Sequence, residues 1–94
     1  MNTIWKYPIP IQNSFELELP ERSAVLCVQV QHDQPCIWAL VNSEASLVKR
    51  KFLLLGTGQN AGAVEINTQS YIGTFQLREG NLMFHLFDCR LPKL

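Results

Sequence analysis

Apolar and polar residues alternate with a period of two along most of this chain, the signature of half-buried strands. Phe15-Glu16-Leu17-Glu18-Leu19 puts three apolar residues on one face and two glutamates in water, and Pro20 ends it. Ala24 to Val30 and Cys36 to Val41 are apolar on both faces, which suits central strands covered on two sides. Lys51-Phe52-Leu53-Leu54-Leu55 follows and stops at Gly56-Thr57-Gly58. Tyr71 to Leu77 and Leu82 to Cys89 make a last pair around Arg78-Glu79-Gly80-Asn81, a hairpin-turn signal. Trp5, Tyr7, Ile9 and Ile11 share one face near the start. Pro8 and Pro10 lack backbone donors, which confines this segment to a sheet edge or an extended strap. Helix signal is thin, with room for a turn or two only over Ser43 to Lys49. The pattern predicts one domain over residues 1–94, all-β, a small antiparallel β-sandwich or partly closed β-barrel of six or seven strands. Its expected core holds Phe15, Leu17, Leu26, Val28, Trp38, Leu40, Phe52, Leu54, Phe75 and Leu86, with Met83 or Phe87. Gly56 to Ser70 reads as the one long loop.

Composition narrows the partners. At 94 residues, 47% hydrophobic and 17% charged, the chain is too apolar for disorder and too short for two cores. Its formal net charge is zero, so it lacks the basic excess of a general nucleic-acid binder. No apolar run approaches the roughly 20 residues of a membrane-spanning helix. The first residues lack a signal peptide's basic-then-apolar order, and a soluble, cytoplasmic chain without membrane contact is expected. Strands apolar on both faces leave more hydrophobic surface than one small core covers, which predicts a homo-oligomer, a dimer or higher. The strand Cys36–Val41 is then expected under another subunit or under the N-terminal strap. Charge is uneven: residues 1–45 are net acidic and 46–94 net basic, a dipole able to orient association or simply a solvated surface.

The three cysteines, 27, 36 and 89, fit a reducing compartment and show no CxxC spacing. With His32-Asp33-Gln34-Pro35 as a hairpin loop, Gln31 faces Cys36 and Cys27 faces Leu40. Cys27 and Cys36 then stand too far apart along the ladder for a disulfide.

Catalytic constellations are missing. His32 belongs to a predicted loop, and His85 shares a strand face with Met83, Phe87 and Cys89. His85 and Cys89, four apart on a strand, are about 13 Å apart, which argues against a shared metal and against Cys89 as a nucleophile activated by His85, and leaves a serine as the other conceivable nucleophile. A part-buried histidine bonded to the neighbouring strand is the plainer expectation. Without a nucleophile elbow, HExxH or paired carboxylates, the chain reads as a non-enzyme with no cofactor and no metal.

The most site-like feature is Gly56-Thr57-Gly58-Gln59-Asn60 directly after a strand, where two glycines permit a backbone nest for an anion. A nucleotide-type small ligand would place phosphates on the amides of Gly56, Thr57 and Gly58. The Thr57 hydroxyl would donate to a phosphate, Gln59 would read a base edge, and Tyr71 would offer an aromatic face. Arg50 joins only by reaching over from a neighbouring strand or subunit. The bland alternative for the same residues is a glycine-permitted turn.

Ile4-Trp5-Lys6-Tyr7, Val28-Gln29-Val30-Gln31, Pro35-Cys36-Ile37-Trp38-Ala39-Leu40-Val41, Gly56-Thr57-Gly58, Tyr71-Ile72-Gly73-Thr74-Phe75-Gln76 and Phe84-His85-Leu86-Phe87 occur in that order. In this succession the chain resembles a family of short proteins of tailed phages, prophages and bacteria, a domain of unknown function. The resemblance implies a phage or bacterial origin in the cytoplasm and brings no catalytic residues. The function it implies is that of a non-enzymatic binding protein in the host cytoplasm, a counter-defence factor that sequesters a nucleotide signal or blocks a host defence protein. The alternative is a structural or assembly accessory of a phage particle.

Overall fold

The computed structural model describes residues 1–60, 62 and 69–89. They form seven strands: β1 (Asn2–Pro8), β2 (Ser14–Pro20), β3 (Ala24–Gln31), β4 (Gln34–Asn42), β5 (Leu47–Gly56), β6 (Gln69–Leu77) and β7 (Leu82–Cys89). All pairing is antiparallel, in two sheets ordered β1-β4-β3 and β2-β5-β7-β6. The sheets do not close into a barrel but pack as a sandwich. Much of the predicted loop Gly56 to Ser70, residues 61 and 63–68, lies outside the described residues, and Gln69 and Ser70 already belong to β6.

The core follows from alternation. Phe15 and Leu19 of β2, Phe52 and Leu54 of β5, Leu86 of β7 and Phe75 of β6 meet Ile9, Val28 and Ile37 from the other side. Phe15 and Phe52 are register partners, and their rings stack at 5.4 Å. Each such side chain stabilises the fold by about 1.5–3 kcal/mol through the water it leaves. Charges sit on the outer face, where Glu16 opposes Lys51 and Glu18 opposes Lys49.

On β4 the inward row is Pro35, Ile37, Ala39 and Val41, all buried, so Trp38 and Leu40 face outward and Leu40 is 44% exposed. This corrects the core expected from the sequence. A strand apolar on both faces does not reveal by alternation which row turns in. Leu26 is 50% exposed because a bulge between Val25 and Cys27 breaks the parity of β3. Met83 is exposed and Phe87 half-buried, both on the outer side of β7.

Two local expectations also change. Ser43 to Lys49 holds no helix: Asn42 accepts from the Ala45 amide through its carbonyl (3.0 Å) and from the Glu44 amide through Oδ1 (3.1 Å). This turn delivers Leu47 into β5, opposite Pro20. The β3–β4 loop is two residues rather than four, since Gln31 pairs with Gln34. His32 and Asp33 take φ of 51° and 62°, the primed turn whose twist matches a hairpin. Cys27 consequently faces Trp38, not Leu40, and all three cysteines are free. Pro35 then lies within β4, and the Gln34 side chain supplies the donor it lacks, reaching the Ile9 carbonyl at 3.0 Å.

β1 is an edge strand paired to β4 from Asn2↔Asn42 to Pro8↔Cys36, not a strap across the sheet. At the opposite flank β3 meets β6, where Gly73 lies so close that a Cβ there would stand 3.0 Å from Val28 Cγ1.

Candidate functional site

β5, β6 and β7 present an outer face that the β1-β4-β3 sheet does not cover. Register places Leu53, Phe87 and Tyr71 in one row across it, and Leu55, His85 and Thr74 in the next. Tyr71 is 59% exposed, and its ring rests tilted on Phe87 at 5.6 Å between centroids.

Four side chains link into one hydrogen-bonded chain on this face. Tyr71 Oη lies 2.5 Å from Thr74 Oγ1, Thr74 Oγ1 lies 2.8 Å from His85 Nδ1, and His85 Nε2 lies 2.6 Å from Thr57 Oγ1. A hydroxyl both donates and accepts, so a neutral imidazole allows either direction along the chain. With the proton on Nε2, His85 donates to Thr57 and leaves the Thr57 hydroxyl proton to face outward. With the proton on Nδ1, His85 donates to Thr74 and the Tyr71 hydroxyl proton faces outward. Both ring nitrogens are engaged in either case, so His85 works here as a connector of strands β6 and β7 to the β5 end.

The sequence placed Gly56, Thr57, Gly58, Gln59 and Tyr71 around one loop, and the structure sets Thr57 and Tyr71 at the two ends of this chain. Within the glycine turn, the Gly56 amide donates to Gln59 Oε1 (2.9 Å), the Thr57 amide to the Met83 carbonyl (3.1 Å) and the Gln59 amide to the Gly56 carbonyl (3.0 Å). These bonds close the turn on itself; Gly58 takes φ of 83°, a conformation that favours glycine. Arg50 points the other way. It faces inward from β5, where its guanidinium grips both carboxylate oxygens of Asp88 and the Ser23 carbonyl. His85 and Thr74 were not singled out as a site from sequence. The signal was their parity: His85 shares a face with Phe87, and the β6–β7 register brings Thr74 opposite it.

Cys89 closes the far end of the face. Burial raises its thiol pKa above the ordinary value, Lys51 opposite draws it down less, and Asp88 adds to the rise. It is a protonated thiol at neutral pH. Among the described residues, no three His, Cys, Asp or Glu side chains converge to hold a metal. Three clefts, of about 360, 560 and 350 Å³, lie elsewhere: beside Asn2, Arg22 and Leu40, beside Asp33 and Arg78, and between Arg22 and Arg50.

A family model described as a domain of unknown function, DUF7352, matches residues 1–93. The chain belongs to this family. No curated protein and no solved structure matches the chain. No described helix of this DUF7352 protein is long and apolar enough to cross a membrane.

Proposed function

We propose that this DUF7352 protein is a non-enzymatic binding protein that blocks a host protein in the bacterial cytoplasm, docking through the outer face of β5, β6 and β7. One observation carries the reading: Tyr71 is exposed yet held, with its ring on Phe87 and its hydroxyl in the Thr74–His85–Thr57 chain. An aromatic side chain fixed before contact gives up little rotamer entropy on binding, which is why tyrosines dominate protein hot spots. On the same face Leu53, Leu55 and Met83 supply apolar surface, and Lys51 adds a charge beside Cys89. The phage origin comes from the segment resemblance. Protein capture is favoured over nucleotide capture because the Gly56 and Thr57 amides are already bonded within the fold and Arg50 is engaged on the other face.

The test combines two measurements. Immobilised wild-type protein, exposed to a lysate of a bacterial host, should retain a protein that Tyr71→Ala and Met83→Lys both release. Calorimetry against cyclic di- and trinucleotides and ADP-ribose derivatives should give no heat. Nucleotide heat abolished by Thr57→Val with Tyr71→Ala would reverse the choice of ligand, and a capture indifferent to both substitutions would remove this face from the mechanism.

A further inference from the structure

We infer that two copies of this chain pair through β1, edge to edge and antiparallel, joining their three-stranded sheets into one of six strands. Residues on β1 and β4 pair in a constant register, and the Ser43 amide donates to the Met1 carbonyl while the Ile9 amide donates to the Pro35 carbonyl, each at 2.9 Å. Bonded and unbonded pairs alternate in an antiparallel ladder. With positions 1 and 9 bonded, every odd residue of β1 exchanges its hydrogen bonds with β4. The amides and carbonyls of Asn2, Ile4 and Lys6 therefore point away from β4 to an edge that is free among the described residues, where Pro8 offers only a carbonyl.

Proteins protect such edges with charge, proline or cover. The other edges have that protection. β3 and β6 close one flank against each other at Val28 and Gly73. On β2 the same ladder argument, from the Leu54 amide to the Asn13 carbonyl, turns Glu16 and Glu18 to the free edge, so two copies pairing there would oppose glutamates. β1 has two candidate guards: Pro8, which removes one donor at the end of the strand, and Lys6, whose ammonium is drawn back across the sheet to Gln31 Oε1 at 2.8 Å. Ile4 is 55% exposed on the outer face and Trp5 40% exposed on the inner one, so apolar surface flanks the open edge on both sides.

The strand is also complementary to itself. Centring the two-fold axis on Ile4 sets it against Ile4 of the partner subunit, with Asn2 against Lys6 of the partner subunit. All three outward amides and carbonyls of each copy are then matched, and no like charges meet. Centring on Lys6 instead would oppose two ammonium groups, which the proposal excludes. The occupant is a second copy, since this register sets Lys6, the charged side chain of the edge, against an uncharged Asn2 and closes on itself as a two-fold interface requires.

The parity supplies the test. Ile4→Pro deletes an amide that faces the free edge and leaves every β1–β4 bond in place. Sedimentation at tens of micromolar should give a dimer of the 10.7 kDa chain for wild type. Ile4→Pro should raise the dissociation constant by about 100-fold or more, because symmetry removes the contact twice. Circular dichroism should show the β-fold intact. If Ile4→Pro loses the fold, the charge variants decide: Asn2→Lys, facing Lys6 of the partner subunit, should weaken the dimer, and Asn2→Glu should strengthen it. A monomeric wild type, a folded Ile4→Pro dimer of undiminished affinity, or a dimer lost through Leu40→Lys but not through β1 would each overturn the inference.

Discussion

The Arg50 guanidinium meets Asp88 with two parallel bonds, Nε to Oδ1 at 3.1 Å and Nη2 to Oδ2 at 2.5 Å, while Nη1 reaches the Ser23 carbonyl at 2.6 Å. The two side chains are 14% and 2% exposed. This fork joins three places in the fold: β5, β7 and the turn between β2 and β3. Removing Asp88 takes the counter-charge from the largely buried Arg50 guanidinium, so Asp88→Ala is expected to cost about 3–5 kcal/mol. Arg50→Met alone should cost a similar amount, and Arg50→Met with Asp88→Leu should recover most of it. Urea denaturation of the three variants checks this; additive losses in the double variant would show that the pair does not act as a unit.

Gly73 and Val28 set the spacing between the two sheets. A Cβ at position 73 would stand 3.0 Å from Val28 Cγ1, and Val28 is buried in the core with little room to retreat. Gly73→Ala is therefore expected to destabilise by about 1–3 kcal/mol, the usual cost of overpacking. Val28→Ala in the same chain should return part of that loss, a coupling a double-mutant cycle reads directly. Equal effects of Gly73→Ala with and without Val28 would dissociate the loss from this contact.

Strand type, antiparallel pairing and a count of six or seven strands were legible because period-two alternation and turn residues report them locally, whereas the choice of sandwich over barrel is made by how the two sheets pack. Phe15, Phe52, Leu54 and Leu86 could be placed in the core for the same reason. Leu40 and Trp38 could not, because β4 is apolar in both rows and the choice of inward row is made by the sheet opposite. Leu26 escaped because a bulge is one residue of backbone with no side-chain signature. For the candidate site, the loop and Tyr71 were visible as neighbours of glycine. A histidine bonded to the neighbouring strand was expected, and the hairpin register from Leu77↔Leu82 sets Thr74 opposite His85; the seat of Tyr71 on Phe87 was not legible, since it lies beyond another bulge, between Tyr71 and Gly73.

Alkaline pH should expose the packing of Tyr7. Burial raises its phenol pKa above the ordinary 10.0. A group whose folded pKa is raised contributes stability that is complete below its unfolded pKa and is lost as pH climbs through the folded one. Stability should thus be flat up to about pH 9.5 on account of this group and fall from pH 10 upward. Tyr7→Phe removes the titration, so its urea midpoint should decline less than that of wild type over the same interval. Parallel declines would assign the alkaline loss to other groups.

The Thr74 hydroxyl is the shared link of the outer-face chain, bonded to Tyr71 on one side and His85 on the other. Thr74→Val keeps the shape and the β-branching of the side chain while deleting both bonds. Because the site is exposed, water replaces part of what is lost, and the stability cost is expected at about 1 kcal/mol. The larger effect should be on order: Tyr71 keeps its contact with Phe87 but loses the anchor on its hydroxyl. NMR order parameters of the Tyr71 ring should fall in Thr74→Val and hold in Thr74→Ser, which retains the hydroxyl. Under the proposed function, retention of a host protein from the lysate should follow the same ranking, with Thr74→Ser near wild type and Thr74→Val between it and Tyr71→Ala. If Thr74→Val leaves ring order and affinity unchanged, Tyr71 is held by Phe87 alone and the hydrogen-bonded chain is ornamental to binding.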